Sequence, residues 1–290
     1  MPPKPYREYV TRTTPGAALA SFLCPEGFAA PRVAALAREV RVVPEVGRAA
    51  VGSLAAVRGR RATPYAGCAP PRVATPVVLV PGFCAGDASL AWMARELRAR
   101  GHRTHRSGIH ANIGCTREGV DALERRVEAV AERRGSPVQL VGHSLGGMLS
   151  RGLAGRRPDL VAGLVTLGSP VQAPGAHHAL LTLGVRTLTR LSSLGVPGLL
   201  AGDCVRGRCA RRAFEEQTAP LAPGVVWTAV TSRRDGVVDW RACTHPSAVT
   251  VEVTTSHCGM AVDPRVLAVV LEALRAGAAY AAPVAVGRAG

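Results

Sequence analysis

Val138-Gln139-Leu140-Val141-Gly142-His143-Ser144-Leu145-Gly146-Gly147 is the stretch whose reading decides the fold. Its first four residues read as a buried strand, and a G-x-S-x-G elbow follows at once. Such an elbow turns the chain from strand to helix so tightly that the serine sits in a strained backbone conformation with its oxygen exposed. Glycine is needed on either side because a side chain there would collide. A chain with 32 glycines yields such pentapeptides by chance, so the weight falls on the context. Met148 to Ala154 continue as a helix that can pack close to a sheet, and strand, turn and helix together make Ser144 a candidate nucleophile.

Outward from the elbow, apolar strands alternate with helical periods, the pattern of a mostly parallel sheet covered by helices on both faces. The strand candidates are Val77 to Val80, Arg103 to Ser107, Val138 to Val141, Gly163 to Leu167, Val225 to Thr231 and Val249 to Val253. Ala88 to Arg100 reads as a helix. So does Arg117 to Arg134, where Val120, Leu123, Val127 and Val130 form one stripe. Asp263-Pro264 supplies an N-cap and a proline at the first helical position for a last helix that buries Val266, Val269, Val270 and Leu274. Residues 171 to about 223 hold no clear strand and read as a helical cap insertion. Its leucines, among them Leu180, Leu181, Leu183 and Leu200, either line a lid over an apolar substrate or form the insertion's own core. The organisation expected is an N-terminal helical extension and linker at 1–74, an α/β domain at 75–280 and a C-terminal tail at 281–290.

Within the extension, Val33, Leu36, Ala37 and Val40 share one face at helical spacing, with Arg32, Arg38 and Arg41 off it. Val46, Ala50, Leu54 and Val57 suggest a second helix. Packing of these apolar faces against the domain or a second subunit is the favoured reading, and peripheral membrane contact through the basic helices is the alternative.

A serine hydroxyl is a weak nucleophile at neutral pH. It needs an imidazole to take its proton, and that imidazole needs an acid to fix its tautomer. In parallel sheets such groups sit on loops at the carboxyl ends of strands. Asp235 follows the strand ending at Thr231, and His257 follows the strand ending at Val253, giving the chain order Ser144, Asp235, His257. Asp239, four residues past Asp235, is the rival acid. His102, His105, His110 and His245 are rival bases, and His143 cannot face its own neighbour. Negative charge developing on a substrate carbonyl needs two amide donors already in place. Leu145 N–H supplies one, and Phe83 N–H, in the turn after the first strand, is assigned as the other, with Cys84 as the fallback.

Composition narrows the partners. The formal net charge is +16, yet almost all of it is scattered arginine, Lys4 being the only lysine, and aromatic content of 4% leaves few rings for stacking on bases. That excludes nucleic acid as the expected partner. No stretch reaches the roughly 18 to 20 apolar residues of a membrane span. The apolar patch from Ala17 to Cys24 lacks a clear cleavage site, which favours a cytoplasmic over a secreted protein. Eight cysteines in a chain of 290 residues define no disulfide framework. Cys204 and Cys209 are the best candidate pair, and no spacing marks a zinc site, since no C-x-x-C occurs and the His177-His178 pair has no matching ligands.

The P-G-F turn at 81–83, G-H-S-L-G-G at 142–147, L-G-S-P at 167–170, S-x-x-D-G-V-V-D-W at 232–240 and S-H-x-G-M at 256–260 together resemble bacterial α/β-hydrolases of the lipase/esterase type, from about Val77 to Leu274. The resemblance implies the α/β-hydrolase fold, hydrolysis of carboxylic esters or lipids through an acyl-enzyme, no metal or organic cofactor, and often a mobile cap. Proline at 81, where histidine is commoner before Gly82, departs from the pattern. An acyltransferase or thioesterase using the same triad is the alternative, and a silent binding or membrane-associated protein on the same scaffold a more distant one.

Overall fold

The computed structural model describes residues 19–59 and 75–280. The expected proline-rich start, the linker before residue 75 and the tail at 281–290 lie outside the described residues, wholly or in large part. Six strands form one fully parallel sheet: β1 (Val77–Val80), β2 (Thr104–Arg106), β3 (Val138–His143), β4 (Val161–Leu167), β5 (Val226–Thr231) and β6 (Val249–Glu252). They lie in the order β2-β1-β3-β4-β5-β6. Each of the six overlaps a strand candidate; β1, β3 and β4 are buried along their whole length and β5 beyond its first residue, whereas the edge strands β2 and β6 are partly exposed.

The order reverses direction at β1, so the crevice at the carboxyl ends of β1 and β3 is the topological switch point where open parallel sheets place their sites. The helices α1 (Val42–Gly59), α2 (Ala91–Ala99), α3 (Thr116–Arg134), α4 (Leu145–Arg156) and α8 (Pro264–Tyr280) surround the sheet. Two cores separate by face. Val120, Leu123, Val127 and Val130 of α3 join Leu149 and Leu153 of α4 on one side. Met93 and Leu97 of α2 join Val266, Val270 and Leu274 of α8 on the other. Asp263 accepts the Arg265 N–H at 2.8 Å, the cap read from the sequence.

Between β4 and β5, residues 171–223 contain α5 (Ala179–Ser193), α6 (Asp203–Arg206) and α7 (Arg208–Thr218) and no strand among the described residues. Their leucines divide. Leu200 is buried, whereas Leu180, Leu183, Leu191 and Leu194 are exposed.

The N-terminal extension overturns one expectation. Val33 and Val40, read as its buried face, are 75% and 69% exposed, while Ala35 and Glu45 are buried. The reason is pitch. Val33–Arg41 winds as a nine-residue 3-10 helix before α1, and three residues per turn rotate a different set inward than 3.6 would. Glu39 of this 3-10 helix and Glu45 in the first turn of α1 turn their carboxylates toward the loops after β5 and β6.

Candidate active site

Ser144 closes β3 and opens α4 with φ 52° and ψ −122°. A non-glycine residue rarely adopts such a conformation, and it persists only where surrounding structure enforces it. The enforcement comes from both glycine neighbours. A Cβ on Gly146 would run into the Val80 carbonyl oxygen, and one on Gly142 into the Gly147 backbone. The Ser144 N–H donates to Leu167 O at 2.8 Å, locking the elbow to the end of β4.

At that same strand end stands a paired histidine and aspartate. His257 Nδ1 is 2.6 Å from Asp235 Oδ2, and both residues are buried. Gly168, next after Leu167, passes so close that a Cβ there would lie 3.1 Å from His257 Nδ1 and 3.3 Å from Asp235 Oδ2. The other oxygen of Asp235 accepts the N–H groups of Val237 and Val238, each at 2.8 Å, so the carboxylate is aimed by its own loop. Ser232 Oγ donates to Thr255 O at 2.6 Å and ties the Asp235 loop to the His257 loop. Among the described residues Ser144 Oγ forms no hydrogen bond with His257. In unliganded sites that link is commonly long and tightens when substrate arrives.

Two of the rivals, Asp239 and His245, are engaged elsewhere. Asp239 caps a short 3-10 helix, accepts Ala29 N–H at 3.1 Å and pairs with Arg241 at 2.7 Å. His245 stacks on Trp227 at a centroid distance of 4.8 Å. His143 Nε2 donates to His257 O at 3.0 Å. Burial, followed by the neighbouring His257, pushes His143 down to about 4. It is therefore neutral at pH 7 and adds no cation beside the base. For His257, burial opposes protonation, but the charge and hydrogen bond of Asp235 and the charge of Glu39 outweigh it and hold the imidazole above its ordinary value of 6.5.

Two amide groups beside Ser144 are without a protein acceptor among the described residues. Leu145 N–H, in the first turn of α4, has no intrahelical acceptor. Phe83 N–H is likewise without an acceptor among the described residues, whereas Cys84 N–H donates to Asn112 O at 3.0 Å. The geometry thus favours Phe83 over Cys84. The turn lies directly on the elbow, since a Cβ at Gly82 would be 3.2 Å from Ser144 Cβ. Asn112 secures it: its buried side-chain amide donates to Pro81 O at 2.9 Å. With Pro81 in place of histidine, the loop is held through its backbone carbonyl. Asn112→Ala should lower kcat by about tenfold with little change in KM, by loosening this turn; steady-state kinetics on a soluble ester checks it.

Sequence reasoning missed the contribution of the N-terminal extension. Glu39 accepts three backbone N–H groups, Gly236 at 2.9 Å, His257 at 3.0 Å and Cys258 at 3.0 Å. Glu45, 1% exposed, accepts Ser256 N–H at 2.9 Å and the Ser256 hydroxyl at 2.5 Å. Two carboxylates from one strap thus hold the loops that carry Asp235 and His257. A signal existed, since Glu39 and Glu45 are the only acids between residues 32 and 59 of a stretch rich in arginine.

Over Ser144 and Leu145 opens a cleft of about 890 Å³, counting its mouth, with walls supplied by Leu23, Phe83, Leu181, Leu200 and Phe214. The N-terminal extension through Leu19 and Leu23, the body and the cap all contribute to it, and the lining is mostly apolar, with Thr116, His177 and Gln217 as polar side chains besides Ser144.

A family model described as alpha/beta hydrolase fold matches residues 75–186. The chain is similar to a triacylglycerol lipase of Pseudarthrobacter phenanthrenivorans, 32% identical over 104 residues that make up 33% of each chain. A triacylglycerol lipase of Burkholderia plantarii is 32% identical over 104 residues, 33% of this chain and 29% of the relative. The matched stretch therefore spans about a third of the length of these relatives. Among solved structures, the mature form of Bacillus licheniformis lipase BlEst2 superposes with a TM-score of 0.57 at 16% identity, covering 73% of this chain and 96% of that one. A variant of tomato methylketone synthase I gives 0.51 at 15% identity, covering 71% and 99%. The chain has the α/β-hydrolase fold, and the resemblance to its lipase/esterase type read from the motifs holds.

Proposed function

We propose that this protein of α/β-hydrolase fold is a serine hydrolase that cleaves carboxylic esters with an apolar acyl group through an acyl-enzyme. The observation that carries the reading is the 2.6 Å pair of Asp235 and His257 at the strand end to which the strained Ser144 is anchored. In this reading His257 Nε2 takes the Ser144 proton as Oγ attacks the ester carbonyl, and Asp235 on Nδ1 fixes the tautomer and stabilises the imidazolium. The oxyanion is held by the N–H groups of Leu145 and Phe83. Collapse expels the alkoxide, which takes the proton from His257. A water molecule, deprotonated by His257, then attacks the acyl-enzyme and frees Ser144. Glu39 and Glu45 act as positioning residues that hold the acid and base loops.

The apolar cleft sets the expected preference, tested with p-nitrophenyl esters from acetate to palmitate. Each buried methylene contributes about 0.8 kcal/mol, so kcat/KM should rise at least about tenfold from acetate to octanoate. A maximum at acetate would contradict the acyl assignment. Lipid or small esters suit the same site. A thioesterase or acyltransferase would use the same groups, and adding an alcohol or thiol acceptor separates these outcomes by the product formed.

The outward face of the strap supports a peripheral contact with a lipid surface: Val33, Val40, Val43 and Val51 are each more than two-thirds exposed, with Arg32, Arg38 and Arg41 exposed among them. No described helix is long and apolar enough to cross a membrane. Adsorption to anionic vesicles that falls with rising salt is the expected result, and equal adsorption to neutral vesicles would argue against it.

A further inference from the structure

The cap meets the body of the fold through three sulfurs. Cys115 is the N-cap residue of α3, Cys204 lies in α6 and Cys209 in α7. The Sγ atoms of Cys115 and Cys209 are 3.3 Å apart, and those of all three residues lie within 4.8 Å of one another. All three are free thiols and partly buried. The expectation that Cys204 and Cys209 would pair by themselves is therefore incomplete, because Cys115, remote in sequence, stands against Cys209.

A disulfide uses two sulfurs and would leave the third stranded. Three sulfurs in mutual contact instead make one face of a tetrahedron. A Zn–S bond of about 2.3 Å sets tetrahedrally placed sulfurs about 3.8 Å apart, inside the spread seen here. The supporting backbone is already organised. Asp203 accepts the N–H groups of Arg208 at 3.0 Å and Cys209 at 3.1 Å, which fixes the start of α7 against α6. Cys115 sits at the N-terminal end of α3, whose partial positive charge offsets thiolate charge.

We propose that Cys115, Cys204 and Cys209 form a three-thiolate site for one thiophilic divalent cation of the zinc type, with its fourth position open to water, which pins the α6–α7 part of the cap to the head of α3. Cys204 also lines the cleft beside Gly114 and Thr116, so the ion fixes one wall of the pocket. The role is structural and independent of the hydrolase reading.

Co²⁺ is the probe. Full-length protein is stripped with chelator, kept reduced with a phosphine, and titrated with Co²⁺. The expected result is one equivalent bound with a near-ultraviolet sulfur-to-cobalt charge-transfer band and visible bands of tetrahedral intensity, displaced by Zn²⁺. Cys115→Ser, Cys204→Ser and Cys209→Ser should each weaken binding at least about tenfold, while Cys24→Ser leaves it unchanged. Circular dichroism of each metal-free variant checks folding. Where a serine variant does not fold, alkylation of wild type replaces it: saturating Zn²⁺ should slow iodoacetamide labelling of these three cysteines at least about tenfold and leave Cys24 unaffected. Absence of the charge-transfer band in fully reduced wild type, its persistence in the folded serine variants, unprotected alkylation, or a disulfide joining two of the three that forms in the presence of saturating Zn²⁺ would each overturn the site.

Discussion

Replacing Ser144 with alanine is expected to lower kcat/KM on p-nitrophenyl octanoate by roughly 10⁴- to 10⁶-fold, the loss seen when a hydrolase loses its nucleophile. The melting temperature should move by no more than about 2 °C, because the hydroxyl supports no hydrogen bond that holds the fold and the elbow is fixed by backbone contacts at Gly142, Gly146 and Leu167. Asp235→Asn should cost roughly 10⁴-fold. The carboxamide can still accept the N–H groups of Val237 and Val238, but it no longer enforces the Nδ1–H tautomer of His257 or stabilises the imidazolium. A double variant should be scarcely worse than Ser144→Ala alone, because groups that act as one unit do not contribute independently. Near-normal turnover by Ser144→Ala would remove the nucleophile assignment outright.

The second large effect is expected from the strap. Glu45→Ala leaves the Ser256 N–H and hydroxyl without their buried acceptor and opens a cavity beneath the His257 loop. Stranded buried donors cost about 1–3 kcal/mol each, so the loss of stability should be about 2–5 kcal/mol, read from chemical denaturation. Glu39→Gln tests charge more than packing. The Glu39 carboxylate helps hold His257 above 6.5 by favouring the imidazolium. Catalysis needs the neutral imidazole in the free enzyme, so the acid limb of kcat/KM should lie above pH 6.5 in wild type. Without that charge the imidazolium loses protons more readily, the neutral base survives to lower pH, and the limb moves acidward. The plateau rate falls at the same time, because the transition-state imidazolium is less stabilised. A purely structural role would lower the plateau and leave the limb in place.

These two predictions also mark the boundary of what the chain discloses by inspection. The central strands were legible because parallel strands buried on both faces must be apolar throughout, and the ends of β1, β3 and β4 were read to within two residues. The pairing of Asp235 with His257 could be anticipated because parallel-sheet architecture places functional groups on loops after strands, and few acids or histidines occupy those loops. The strap was not. Its apolar residues at helical spacing suggested a face turned inward, but the segment begins as a 3-10 helix and presents Glu39 and Glu45 to loops roughly two hundred residues away in sequence. A buried carboxylate announces itself only through partners, and those partners are backbone N–H groups, which every residue but proline possesses. Asn112 and the convergence of Cys115 with Cys209 escaped for the same reason, since each depends on a contact that no local period encodes.

Mass mapping of a fluorophosphonate adduct tests the central claim most directly. Wild type should take up one equivalent on Ser144, with labelling slowed at least about 10³-fold in His257→Ala, because the hydroxyl then lacks its base. Wild type that is folded yet unlabelled, or labelled at another residue while ester hydrolysis is abolished, would contradict the account.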